Sequence, residues 1–231
     1  MKTIGILGGM GPRVTVEFES RLLEKIEGSD QVLPTIVGIN DGGIPDRSSF
    51  LLGKGTSPVP RLVQNLNKLK QLRPDFICLP CNSACAPAIL SRVQLYSEIP
   101  IIDLPVEVVR LMKNQGLNQV MLLATEGLVA SGRYQELCHA ENIECFTPVA
   151  SIQAAVSQII MNVKAGRPES VVGQIKTVRK FVASSNCQAV ILGCTELPMV
   201  ASQLVPASLT AIDTLDALVE ATLSRLKTQG D

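Results

Sequence analysis

Short runs that are apolar at every position alternate along this chain with longer amphipathic stretches. TIGILG (3–8), QVMLLA (119–124) and QAVIL (188–192) are the clearest of these runs. A strand with one face in water alternates apolar and polar residues, whereas a strand apolar throughout has both faces covered. Covered strands separated by helices belong to parallel sheets flanked by helices, so the alternation restricts the fold to the α/β class. The expected strands are 3–8, 34–39, 75–80, 99–103, 119–124, 188–192 and 208–213, with a short one at 143–146. The expected helices cover 12–27, 60–72, 83–96, 104–114, 131–141, 151–165, 168–184 and 214–227. Residues 41–60, DGGIPDRSSFLLGKGTSPVP, read as a long loop. Loops of that length in compact domains are often functional.

The chain also echoes itself. IIDLPVEVV (101–109) returns as AIDTLDALV (211–219), FICLPCNSA (76–84) as AVILGCTEL (189–197), and TIGILGG (3–9) as VMLLATE (120–126). The offsets are 110, 113 and 117 residues, each near half of the 231-residue length. Each pair has the same layout of apolar strand, polar turn and helix, which points to two similar α/β halves.

The echo aligns Cys81 with Cys194. Each ends an apolar strand and is followed by polar residues, Asn82-Ser83 and Thr195-Glu196. The carboxyl edge of a parallel sheet is its ligand-binding edge. A thiol beside a helix N-terminus there is expected to ionise more readily than a free one. Two facing halves would aim two tunable thiols at one cleft. Opposed acid/base groups suit a reaction in which a proton leaves one face of a carbon and another arrives on the opposite face. Rival readings of the first thiol remain open at this point: a redox CxxC of Cys78 and Cys81, half of a metal site, or inert core thiols at both positions. Redox CxxC motifs usually open a helix, whereas Cys78 falls inside a strand. Cys138 and Cys145 are too widely spaced for a convincing second metal pair.

A carbon acid beside a carboxylate needs anchors. Arg47 stands in the long loop and Lys164 follows 117 residues later, the offset of the first-strand echo. One cation from each half would hold the two carboxylates of a dicarboxylic amino acid, Arg by bidentate capture. The turn GILGGMGP (5–12) has glycines at 5, 8, 9 and 11, which does not fit GxGxxG, so no dinucleotide site is expected. Its backbone amides ahead of a helix would still suit an anion such as a substrate carboxylate.

Composition removes several function classes. Formal net charge is zero and no like-charge block occurs, which argues against nucleic-acid or membrane-surface partners. Apolar runs are far shorter than the roughly 18 residues of a membrane span. Seven cysteines without a secretion signal favour free thiols over disulfides, and a cytoplasmic protein is expected. The single histidine, His139, leaves few Ser-His-Asp or Cys-His schemes.

IGILGGMGP, IPDR, PCNSA, LLATEGLVASGRY and LGCTELP together resemble the aspartate/glutamate racemase family over nearly the whole chain, and most of all its cofactor-independent aspartate racemases. The resemblance implies two similar, pseudo-twofold-related α/β domains with the active site between them. The Cys81 side would comprise residues 1–98 with 209–231, and the Cys194 side residues 99–208. It implies an isomerase of aspartate with no cofactor and no metal, commonly a homodimer, with Cys81 and Cys194 as the acid/base pair. Gly9, Met10 and Gly11 would face the substrate. Asn82, Ser83, Thr125 and Thr195 would bind its backbone groups, and Arg47 and Lys164 its side-chain carboxylate. Glu196 follows the second cysteine as in the family. The chain departs from the family pattern at CNSAC, where CNTAH is more common, and at Leu128, where a second Thr is common. Retention of both cysteines favours racemisation over one-sided relatives such as decarboxylases. A glutamate racemase, a racemase of another amino acid and a non-catalytic amino-acid-binding protein are the competing readings.

Overall fold

In a computed structural model, which describes residues 2–227, the alternation becomes two parallel sheets flanked by helices. The first half runs β1 (Thr3–Gly8), α1 (Pro12–Glu24), β2 (Thr35–Asn40), α2 (Arg47–Leu51), α3 (Val59–Lys70), β3 (Phe76–Cys78), α4 (Pro87–Gln94) and α5 (Leu104–Asn114). The second runs β4 (Gln119–Leu123), α6 (Glu126–Ala130), α7 (Arg133–Ala140), β5 (Glu144–Phe146), α8 (Ala150–Lys164), α9 (Val172–Ala183), β6 (Ala189–Leu192), α10 (Ala201–Leu204), β7 (Thr210–Asp213) and α11 (Thr214–Lys227). The strand orders are β2-β1-β3 and β5-β4-β6-β7, and every pairing is parallel. In the first sheet Ile4 lies opposite Ile36 and Phe76, and in the second Val120 lies opposite Ala189.

Helix spacing explains what covers the sheets. In α1 the buried Val14, Phe18 and Leu22 recur every fourth residue, and α3 buries Leu62, Leu66 and Leu69 at spacings of four and three. One core cluster joins these helices and β1 to α5, α11 and one face of the second sheet. A second cluster packs α8 and α9 on the other face through Val156, Ile160, Ile175 and Val178.

Several expected elements change at identifiable residues. The strand at 75–80 shortens to Phe76–Cys78, and the one at 99–103 reduces to a single bridge from Ile101 to Ile77. The helix expected from 83 begins at Pro87 after a 3-10 turn over Asn82–Cys85. Proline forces the preceding residue out of helical geometry, and Ala86 is extended with ψ 141°. Gly132, at φ +70°, separates α6 from α7. The long loop holds a helix of its own, α2, whose first turn is capped by Asp46 accepting from the Ser49 amide.

Sheet membership runs across the expected domain boundaries. Ile101 pairs with the first sheet although it lies beyond residue 98, and β7 belongs to the second sheet although it lies beyond 208. The helix after β7, α11, then packs on α1 and α5 of the first half.

Gly9 has a structural reason. Its φ is +100°, and a Cβ there would stand 2.1 Å from the Asp41 carbonyl oxygen, while its amide donates to Thr15 Oγ1 at 3.0 Å. Gly9→Ala is expected to destabilise the protein by about 1–3 kcal/mol from backbone strain alone, with the overlap adding to it. Urea denaturation measures the loss, and a stability equal to the parent's would contradict this account.

Candidate active site

Parallel pairing brings the loops after β1, β3, β4 and β6 to the same kind of edge, and one cleft collects residues from all four. Of the residues expected from sequence, Met10, Arg47, Cys81, Asn82, Ser83, Thr125, Lys164, Cys194, Thr195 and Glu196 line it. Gly9 and Gly11 do not. The Gly9 amide is committed to Thr15, and Gly11 forms the N-cap of α1, its carbonyl accepting from the Thr15 amide. Of this turn only Met10 lines the cleft. Asp46, Ser48 and Gly193 line it as well. Asp46 and Ser48 flank Arg47 within IPDRSSF, so their signal was their adjacency to the cation.

Both thiols are nearly buried, Cys81 at 6% exposure and Cys194 at 7%. Neither opens an α-helix. Cys81 precedes the 3-10 turn Asn82–Cys85, and Cys194 precedes another at Leu197–Val200. Cys194 Sγ donates to Glu196 Oε2 at 2.9 Å. Burial pushes this thiol well above its usual range, and the Glu196 carboxylate adds to the shift against the opposing pull of Lys164. The lowering expected for a helix-end thiol is thus reversed at Cys194, because lost hydration and an adjacent carboxylate outweigh any dipole.

The cations complete the electrostatics. Arg47 is 9% exposed and is fixed by carbonyl oxygens: Nη1 donates to Ile44 and Pro45, and Nη2 to Met10. Its Nε is buried without a hydrogen-bond partner. Lys164, the last residue of α8, lies 3.7 Å from Glu196 Oε1. Desolvation pulls its ammonium downward, but Cys194, Glu196 and Cys81 together raise it. Asp46 also bears a burial cost, yet the Ser49 hydrogen bonds and the nearby Arg47 and Lys164 hold its carboxyl low.

The halves touch across the cleft. Ser83 Oγ and Thr125 Oγ1 lie 3.0 Å apart, and the Gly127 amide donates to Ser48 Oγ at 2.9 Å. A Cβ on Gly127 would meet the Ser48 carbonyl oxygen at 2.5 Å, so only glycine permits this contact. Leu128, where the family commonly has Thr, is fully buried in the core.

The remaining cysteines separate from the cleft. Cys78 is buried in β3 with Sγ 3.3 Å from Thr222 Oγ1. Burial raises it from 9.0 to about 12, against a small opposing effect of Thr222. Cys85 is fully buried, and burial, with Asp103 nearby, pushes it well above its usual range. All seven cysteines are free, and Cys78 and Cys81 form no pair. Among the described residues no three His, Cys, Asp or Glu side chains cluster closely enough to hold a metal ion, and His139 is exposed in α7 away from the cleft. Also among the described residues, no helix is long and apolar enough to cross a membrane.

Comparison with known proteins places this geometry. The sequence pattern described as Asp/Glu/Hydantoin racemase matches residues 7–222. The structure is similar to that of Picrophilus torridus aspartate racemase, with 27% identity and a TM-score of 0.85 over 100% of this chain and 96% of that one. It shares its fold with Francisella tularensis glutamate racemase, solved with D-glutamate, at 23% identity and a TM-score of 0.70, covering 97% of this chain and 80% of that one. The broad specificity amino-acid racemase RacX of Bacillus subtilis is 23% identical over 96% of both chains.

The buried Cys78 thiol carries a pH signature. Below pH 9 the thiol is protonated whether the chain is folded or not, so it adds no pH dependence. Above that, the unfolded thiol loses its proton while the native one keeps it up to about 12. Stability therefore falls with rising pH across this window, by about 1.4 kcal/mol per pH unit from this group. Cys78→Ala is expected to make the alkaline slope of unfolding free energy shallower by that amount, measured by urea denaturation between pH 8 and 11. An unchanged slope would remove Cys78 as its source.

Proposed function

The chain belongs to the Asp/Glu/hydantoin racemase family, and from that premise we propose that it interconverts L- and D-aspartate by a two-base mechanism without pyridoxal phosphate. The observation that carries the reading is the convergence of Cys81 and Cys194, from strands of different sheets, on one cleft with Arg47 and Lys164. A thiolate removes the α-proton and the opposite thiol supplies a proton to the other face. Burial and Glu196 hold Cys194 protonated, so it starts as the acid in the direction in which Cys81 is the base. The roles exchange in the reverse direction. Lys164 feels the charge of both thiols and of Glu196 and favours whichever sulfur is ionised.

Aspartate is favoured by Arg47. Its Nε–H is unpartnered, and Nη2 keeps a second hydrogen beyond the one given to Met10. Together they offer the side edge of a guanidinium, suited to a bidentate carboxylate. Lys164, from the other half, takes the second carboxylate. A broader amino-acid racemase is the second reading, favoured by the full-length likeness to RacX. One methylene of side chain is worth only about 1–3 kcal/mol of discrimination. The reading also takes the active species to be a homodimer, as resemblance to the family implies, and cytoplasmic, as expected from the sequence.

Cys81→Ser and Cys194→Ser are each expected to lower racemisation by about 10²–10⁴-fold. An amino-acid panel followed by chiral chromatography in D₂O measures this, with solvent deuterium appearing at the α-carbon of the product. Full-rate aspartate racemisation by either serine variant would sink the two-base scheme, and turnover of another amino acid in preference to aspartate would select the second reading.

A further inference from the structure

Asn82 follows Cys81 directly and is 3% exposed. Both ends of its amide are engaged away from the cleft. The Tyr134 hydroxyl donates to Oδ1 at 2.6 Å, and Nδ2 donates to Thr214 Oγ1 at 2.9 Å. Thr214 Oγ1 in turn donates to the Leu192 carbonyl at 3.1 Å. Leu192 ends β6, two residues before Cys194. Tyr134 and Thr214 are both fully buried, and neither lines the cleft. A continuous buried chain therefore runs from the residue beside one thiol to the strand end that carries the other.

We infer that this hydrogen-bond chain sets the spacing of the two thiols, with Tyr134 and Thr214 as positioning residues for the acid/base pair. The inference rests on the two-thiol reading given above. It changes the part assigned to Asn82: with its carbonyl accepting from Tyr134 and one amide hydrogen given to Thr214, it keeps one hydrogen and one lone pair for a ligand and acts first as a tie. The links suit that part. Thr214 opens α11, so its hydroxyl is carried on the helix that seals the first half, while it bonds a strand of the second. Tyr134 comes from α7 and reaches across to the Cys81 loop. Burial keeps its phenol protonated, pushing it well above its usual range, so it remains a donor. A buried network with every member satisfied has one geometry, and removing one hydroxyl leaves its partners unpaired. The reaction is sensitive to this because inversion needs both sulfurs in place, and misplacement by about 1 Å costs roughly 100-fold in rate.

The test compares Thr214→Val, which keeps the shape and removes the hydroxyl, with Thr214→Ser, which restores it, and with Tyr134→Phe. Each is incubated with L-aspartate in D₂O. When the acid thiol is out of line, the base thiol exchanges the abstracted proton for solvent deuterium and returns deuterium to the carbanion on the face that the proton left. Thr214→Val is expected to make D-aspartate about 10–100-fold more slowly, with a rise in deuterium in the recovered L-aspartate relative to product, and Thr214→Ser is expected to return both to parental values. A variant that is merely less well folded lowers exchange and inversion in proportion, and that result would overturn the inference. A second arm needs no turnover: alkylation of Cys81 and Cys194 by iodoacetamide, followed peptide by peptide by mass spectrometry. Both thiols are expected to react several-fold faster in Thr214→Val and Tyr134→Phe, with Cys78 unchanged, whereas parental rates would overturn the inference. If the parent protein turns over no amino acid, the racemase reading fails and the alkylation arm still decides this one.

Discussion

Parallel strand pairing is the constraint from which the rest of the structure follows. Each strand must return through a crossover to start again at the same end, so every loop after a strand opens on one edge of its sheet. In this protein those loops hold Met10 after β1, Cys81 after β3, Thr125 after β4 and Cys194 after β6. The two edges close on each other through contacts made by small residues, Ser83 with Thr125 and Ser48 with Gly127. Closure buries the thiols, and burial then raises the pKa of Cys194. The order of causes runs from backbone pairing, through loop placement and desolvation, to chemistry.

The features legible in the sequence were those with a period or an echo. Apolar runs marked β1, β4 and β6, and the half-length echo matched Cys81 to Cys194 and Arg47 to Lys164 before either pair was seen to share a cleft. Other features have no such signature. The run at 99–103 is as apolar as a true strand, yet at the sheet edge only Ile101 pairs. Gly9 reads like a ligand loop, but the close approach of the Asp41 backbone is a matter of tertiary distance. Glu196 stood beside a cysteine without revealing that its carboxylate would accept from that thiol. Tyr134 lies 52 residues from Asn82, and no local pattern announces a hydrogen bond of that range.

Similar halves need not be chemically alike. Cys194 has a carboxylate at 2.9 Å and that carboxylate has an ammonium at 3.7 Å, whereas the corresponding turn after Cys81 holds Asn82 and Ser83, whose side chains bond to Tyr134, Thr214 and Thr125. The echo preserves the strand, the turn and the sulfur, and the surroundings diverge. The aspartates of the echo between 101–109 and 211–219 keep more: Asp103 pairs with Arg133, and Asp213 with Arg21 at 2.7 Å. In the proposed reaction each sulfur serves one face of the ligand, so a site handling mirror-image ligands can accommodate two thiols in unlike surroundings.

The path of β7 and α11 bears on the order in which the protein folds. Strand β7 completes the second sheet beside β6, and α11 then crosses to seal α1 and α5 with help from the Arg21–Asp216 and Lys25–Glu220 ion pairs. A ribosome delivers the first half early, yet that half lacks its covering helix until α11 emerges. Vectorial folding, in which the N-terminal unit finishes before the next is synthesised, is therefore denied to it. Until β7 and α11 emerge, β6 presents an open edge and α1 and α5 an uncovered seam, surfaces of the kind that recruit other chains.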